Sequence, residues 1–117
     1  MDKSIVLKNR SDFDRLHKKG KSVGSRFVVL VYIKNGLEHN RRAFLSSKKV
    51  GNAVSRNRAR RLMREAYRQI ESTLITGYDL LFIARNTITD SNCKCADVKK
   101  SIEAAVSRAG LKNVKDE

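Results

Sequence analysis

Residues 46–68, SSKKVGNAVSRNRARRLMREAYR, limit the fold more than any other stretch of this chain. From Lys48 to Arg68 they carry eight positive charges, six of them arginines, against one negative charge at Glu65. Cations this dense repel one another unless a polyanion neutralises them. Yet the spacing is that of an amphipathic helix. At about 100° per residue, with Arg56 at zero, Ala59, Leu62, Met63, Ala66 and Ile70 fall within roughly 100° of one another. Arg56, Arg60, Arg64 and Arg68 form an i, i+4 ridge. Asn57 and Arg61 lie beside it, and Arg58 sits toward the far flank. Gly51-Asn52 supplies a turn and an N-cap, with Ser55 as the competing cap. Such a helix rests its apolar face on a core and turns its arginines toward phosphate.

The rest of the composition agrees. The formal net charge is +14 and the sequence pI about 10.3, which calls for a polyanion: nucleic acid first, an anionic membrane second. The longest apolar run, residues 27–33, is seven residues long, far short of the ~20 that span a bilayer. There is no Trp, and the helix's apolar face is alanine-rich. The first eight residues lack the apolar core of a signal peptide, so the expected compartment is the cytoplasm, with no membrane partner. Cys93 and Cys95, with His17 and His39, lack the paired spacings of a zinc site. They are expected as reduced thiols, with no metal held by the protein. The length suits one domain over residues 1–117, with an ordered core at about 8–111 and a frayed end at 112–117.

Proline is absent, so element limits rest on Gly, Asn and periodicity. Residues 11–19 read as a short helix capped by Ser11 and ended by Gly20. Residues 21–34 are β-rich, with a buried strand at 27–33. Asn35-Gly36 marks a turn. A strand is expected at 41–49, then the arginine helix to about Ser72, a strand at 78–84, a polar loop at 85–93 and a helix at 96–109. The order α-β-β-(β)-α-β-α predicts an α+β two-layer sandwich with a mostly antiparallel sheet.

No convergent catalytic set emerges. Asp12 and Asp14 diverge at i, i+2 on a helix. Asp79 and Asp90 lack a paired carboxylate. His17 lies among lysines, neither Cys has a His or Asn neighbour in sequence, and no glycine-rich phosphate loop is present. Binding chemistry is plentiful instead. Arginine's planar fork engages phosphate bidentately and stacks on bases, where lysine is a point charge. Arg26, Phe27, Tyr32 and Lys34 add groups that either pair and stack with single-stranded RNA or, for the two aromatics, fill the core.

KKVGNAVSRNR at residues 48–58, followed by Arg60-Arg61 and Arg64, resembles the signature of the bacterial ribonuclease P protein subunit. Flanking features match as well: Asp12-Phe13 with Lys19-Gly20 beyond, the β-rich run after Ser22, and Tyr78-Asp79 with Ile83-Ala84-Arg85. The resemblance spans about residues 8–111. It implies a fold like the second domain of ribosomal protein S5, with a left-handed βαβ crossover through the arginine helix. It implies a catalytic centre on the RNA subunit, with Mg2+ bound by that RNA and no catalytic residue on the protein. The protein would bind the catalytic RNA and the 5′ leader of precursor tRNA, and no small-molecule substrate. By the same resemblance Lys48, Lys49, Asn52, Arg56, Asn57, Arg58, Arg60, Arg61, Arg64 and Arg68 would face the RNA subunit. Phe13, His17, Arg26, Tyr32 and Arg85 would line a leader-binding cleft between the first helix and the sheet. His17 stands where the family often has a second aromatic, and Asn86 where it often has another cation. A ribosomal-type RNA-binding protein shares charge, size and fold class, and a self-sufficient nuclease would need activity without RNA.

Overall fold

The computed structural model describes residues 6–7, 9–89 and 93–113. Along them run α1 (Arg10–Lys19), β1 (Lys21–Gly24), β2 (Val28–Lys34), β3 (Arg41–Leu45), α2 (Ala53–Ile70), β4 (Tyr78–Ala84) and α3 (Cys95–Arg108). Short 3-10 turns lie at Glu71–Thr73 and Asn86–Thr89. The fold is α+β, and the optional third strand is present. The sheet order is β1-β2-β4-β3. β2 pairs antiparallel with β1 and β4, while β3 pairs parallel with β4. A parallel pair needs a crossover connection, and α2 is that crossover.

Alternation along the strands divides the core. Val28, Leu30, Leu80, Phe82 and Ala84 are buried against α2 and α3, with Phe44 packed beside them. Leu81 faces the other way, toward Leu16 of α1, with Val31, Ile33, Ala43 and Ile83 around it. The sheet and the α2–α3 pair form the two main layers. α1 covers part of the opposite face and fully buries Leu16 alone, whereas α2 and α3 each bury five residues.

Several limits differ from the sequence reading. β3 stops at Leu45 rather than residue 49. Ser46 is buried and donates its hydroxyl to the Arg56 carbonyl at 3.0 Å. Residues 47–51 then turn, with the Val50 and Gly51 amides donating to the carbonyls of Ser47 and Lys48. Gly51 has φ +143°, and a Cβ there would press on the Ser55 side chain, so this turn favours glycine. α1 starts at Arg10 after Asn9, with no side-chain cap, rather than after Ser11. Gly20 ends it, and a Cβ at Gly20 would collide with the Leu16 carbonyl oxygen. The ordered core extends past Leu111. Lys112 bridges to Leu74, and the Asn113 amide donates to Thr73 at 2.7 Å. Asp90 and residues 114–117 lie outside the described residues.

Candidate nucleic-acid interface

α2 begins where the sequence places it. Asn52 is the N-cap, and its side chain accepts from the Ser55 amide at 2.9 Å. That engages its carbonyl oxygen in the helix start. The buried side chains are Ala59, Met63, Ala66, Tyr67 and Ile70, while Leu62 is half-buried. Tyr67 extends the apolar face read from the sequence. It falls at about 20° on the same wheel, between Arg56 and Arg60. Its ring sits 5.8 Å from Phe44 and 5.3 Å from Phe82. Burial, then the charge of Glu71, pushes its phenol far above the ordinary range. The hydroxyl has no hydrogen-bond partner among the described residues.

Burying Tyr67 turns Arg56 and Arg60 into flanking groups tethered to the protein. Arg56 donates to the Gly51 carbonyl at 3.3 Å. Arg60 donates to Ser46 Oγ at 3.1 Å and to Asn57 Oδ1. On the opposite flank Arg58 donates to the Cys93 carbonyl at 3.1 Å. The outward arc therefore centres on Arg61, which is exposed and has no partner among the described residues. Arg68 lies beside it, paired with Glu65 at 3.3 Å. Arg64 lies further round on the same side, its guanidinium 6.0 Å from the Phe44 ring centroid. Lys48 and Lys49 are exposed in the turn before the helix, not on a strand end.

The five residues expected to share one cleft are not brought together. Phe13 and His17 lie one turn apart on α1, Phe13 half-buried on the α1 side of the sheet and His17 exposed. Arg85 follows β4 and donates to the Ser25 carbonyl at 3.1 Å. Tyr32, however, packs with the other core, beside Tyr78 at 6.3 Å. Arg26 sits 5.2 Å over Phe27, in a hollow beside Lys100 and Arg108 of α3. Phe27 is buried core. The α1 side of the sheet thus keeps Phe13 with the half-buried Val31, Ala43 and Ile83, while His17 is exposed on α1 and Tyr32 lies on the opposite face. Phe13 also lines a hollow of about 310 Å3 that it shares with Phe44, Arg42 and Arg64. That hollow joins the α1 side to the arginine helix across the β3 edge.

α1 is tied to the sheet by Asp79, a carboxylate that the sequence shows without an acidic partner and the structure shows among cations. Asp79, on β4, is fully buried. It accepts from Arg41 Nε and Nη2 at 2.8 and 2.7 Å, from Arg15 at 3.0 Å and from Asn35 at 3.0 Å. Arg41 also reaches Asp12 of α1 at 3.3 Å. Burial by itself raises the Asp79 pKa. The hydrogen bonds from Arg41, Asn35 and Arg15 and the Arg41 charge outweigh it and hold the carboxylate below its usual range. The available signal was a lone Asp at an inward position of an apolar strand, which requires a cation partner. Among the described residues no group of three or more His, Cys, Asp or Glu is placed to hold a metal, and no helix is long and apolar enough to cross a membrane.

Comparison with known proteins agrees with this architecture. The family model described as Ribonuclease P matches residues 1–110. The ribonuclease P protein component of Caldanaerobacter subterraneus is 38% identical over 115 residues, covering 98% of this chain and 97% of its own. That of Clostridioides difficile is 42% identical over 106 residues, covering 90% and 91%. The solved structure of the Staphylococcus aureus RNase P protein superposes with a TM-score of 0.82 at 33% identity, over 95% of this chain and 100% of that one. With the arginine helix, the capped turn before it and the mixed sheet all in place, this chain belongs to the family of the ribonuclease P protein component.

Proposed function

We propose that this chain is the RNA-binding, non-catalytic subunit of a ribonucleoprotein that removes the 5′ leader from precursor tRNA. The observation carrying this reading is the outward arc of α2: Arg61, Arg64 and Arg68 project from a helix whose other face is locked into the core. Arginine fixed on a rigid element meets phosphate with little ordering cost. The catalytic RNA is assigned to this face, with Lys48, Lys49, Asn52, Arg56, Asn57, Arg58 and Arg60 at its margins. The leader is assigned to the α1 side of the sheet, where Phe13 and His17 offer ring faces and Arg85 a cation. Tyr32 and Arg26 are dropped from that cleft because their side chains lie elsewhere. Cleavage would occur on the RNA with its own Mg2+, in the cytoplasm. The neutralising effect of the arginines permits the two RNAs to approach at lower Mg2+.

The test is cleavage of a precursor tRNA at low Mg2+ by this protein with and without a bacterial ribonuclease P RNA. Cleavage at the leader junction only with both components is expected. Cleavage by the protein alone would overturn the assignment of chemistry to RNA. Tight RNA binding with no effect on cleavage would favour a ribosomal-type role.

A further inference from the structure

Tyr32 leaves the leader cleft for a site of its own. It sits on the α2–α3 face of the sheet, at the end where β2 finishes and β4 begins. Tyr78 lies beside it, the two rings 6.3 Å apart and inclined at 54°. At that angle they do not stack on each other. With Lys19, Lys21, Ile33 and Lys34 they line a hollow of about 320 Å3. This is the lower end of the ~300–1,000 Å3 range of small-molecule sites. All three lysines are exposed, both tyrosines are half-buried, and no acidic residue lines the hollow. Neither phenol hydroxyl and none of the three ammonium groups has a protein partner among the described residues.

We propose that this hollow is a further RNA site, which takes an unpaired nucleotide with its base against the Tyr32–Tyr78 pair and its flanking phosphates on Lys19, Lys21 and Lys34. Three lysines with no carboxylate among them select an anion. Two aromatic rings set between them select an anion that carries a flat ring. Unpaired nucleotides meet both demands, whereas bases inside a helix offer no free face. The site is separate from α2's outward arc; its two rings lie on the opposite side of the sheet from Phe13, while Lys19 at the end of α1 and Ile33 close its edge. The inference rests on the RNA-binding reading only for the identity of the partner.

The chain has three tyrosines and no tryptophan, and Tyr67 is sealed in the core. Tyr67 therefore gives a constant background, and a change in ultraviolet emission on binding reports on Tyr32 and Tyr78. The full chain is titrated with a labelled oligouridylate of about ten nucleotides, reading binding by anisotropy and stacking by loss of tyrosine emission. Polyphosphate serves as the anion without bases. Quenching by the oligouridylate and not by polyphosphate is expected. Tyr32→Leu should weaken binding by about 5- to 150-fold, the range for one stacked base. Should that variant fold poorly, Lys21→Gln with Lys34→Gln removes only exposed groups. It should shift the quenching curve to higher RNA and lower the salt slope by about 1.4. Binding without quenching, or a quenching curve unmoved in the lysine double variant, overturns this site while leaving the function of α2 standing. Absence of any binding overturns both.

Discussion

Asp79→Asn tests the buried network most directly. The side chain is fully buried, and its strongest partner, Arg41, is 19% exposed. Arg15 is 38% exposed, so its share is screened by water and counts for little. Removing one partner of a buried pair costs ~3–5 kcal/mol. Arg41 retains Asp12 at 3.3 Å, so the lower end, about 3 kcal/mol, is expected. A chain of this size shifts by roughly 4 °C per kcal/mol, giving a fall in Tm of about 12 °C. Urea denaturation followed by circular dichroism at pH 7 and pH 3 measures both the loss and its pH dependence. The sign is fixed by the depressed pKa. Asp79 titrates lower in the folded protein than in the unfolded chain, where it has a pKa of about 3.9. Its stabilisation is complete above that value and is lost as pH falls below it toward the folded pKa. The gap between wild type and Asp79→Asn should therefore narrow at pH 3. A loss below about 1 kcal/mol at pH 7, where exposed pairs lie, or a gap of constant size at both pH values, would refute the reasoning.

Arg61→Gln should lower the salt slope of RNA binding by about one contact's worth, ~0.7–0.9, with no change in Tm, since the group has no partner among the described residues. Arg60→Gln should lower the slope similarly but also cost up to ~1 kcal/mol of stability through its bond to Ser46; equal melting of the two variants would argue against that tether. Met63→Ala, fully buried, should cost ~2–5 kcal/mol in urea unfolding, and Leu62→Ala, half-buried, distinctly less. Tyr67→Phe removes a buried hydroxyl that has no partner among the described residues, so thermal melting should be unchanged or raised.

The arginine helix was legible because three signals coincide there: a 3.6-residue period, a Gly-Asn cap and alternating charge and apolar groups. Tyr67 escaped because a phenol reads as readily outward as inward. The strand at Val28–Lys34 was visible from its β-branched residues, but a nearly unbroken apolar run carries no alternation. It does not announce which side chains share a face, and so Tyr32 was assigned with Phe13 although they lie on opposite sides. The residue pattern hid the sheet order equally: β3 lies next to β4, with all of α2 between them in the chain, and only the βαβ crossover implied by the resemblance pointed to that pairing. The Asp79 network joins Asp12, Arg15, Asn35 and Arg41, and only the completed sheet brings these together.

α1 is anchored differently from the other helices, and this grades the molecule's resistance to opening. α2 and α3 each submerge five side chains. α1 submerges only Leu16, half-buries Phe13 and adds charged groups at its inner edge. Elements with few buried apolar contacts open at lower free energy than the global transition. The amides of α1 should thus exchange their hydrogens first, while the β2–β4 ladder exchanges last. The helix that carries Phe13 is the compliant one. The arginine face, built on the deepest part of the core, stays as a fixed template.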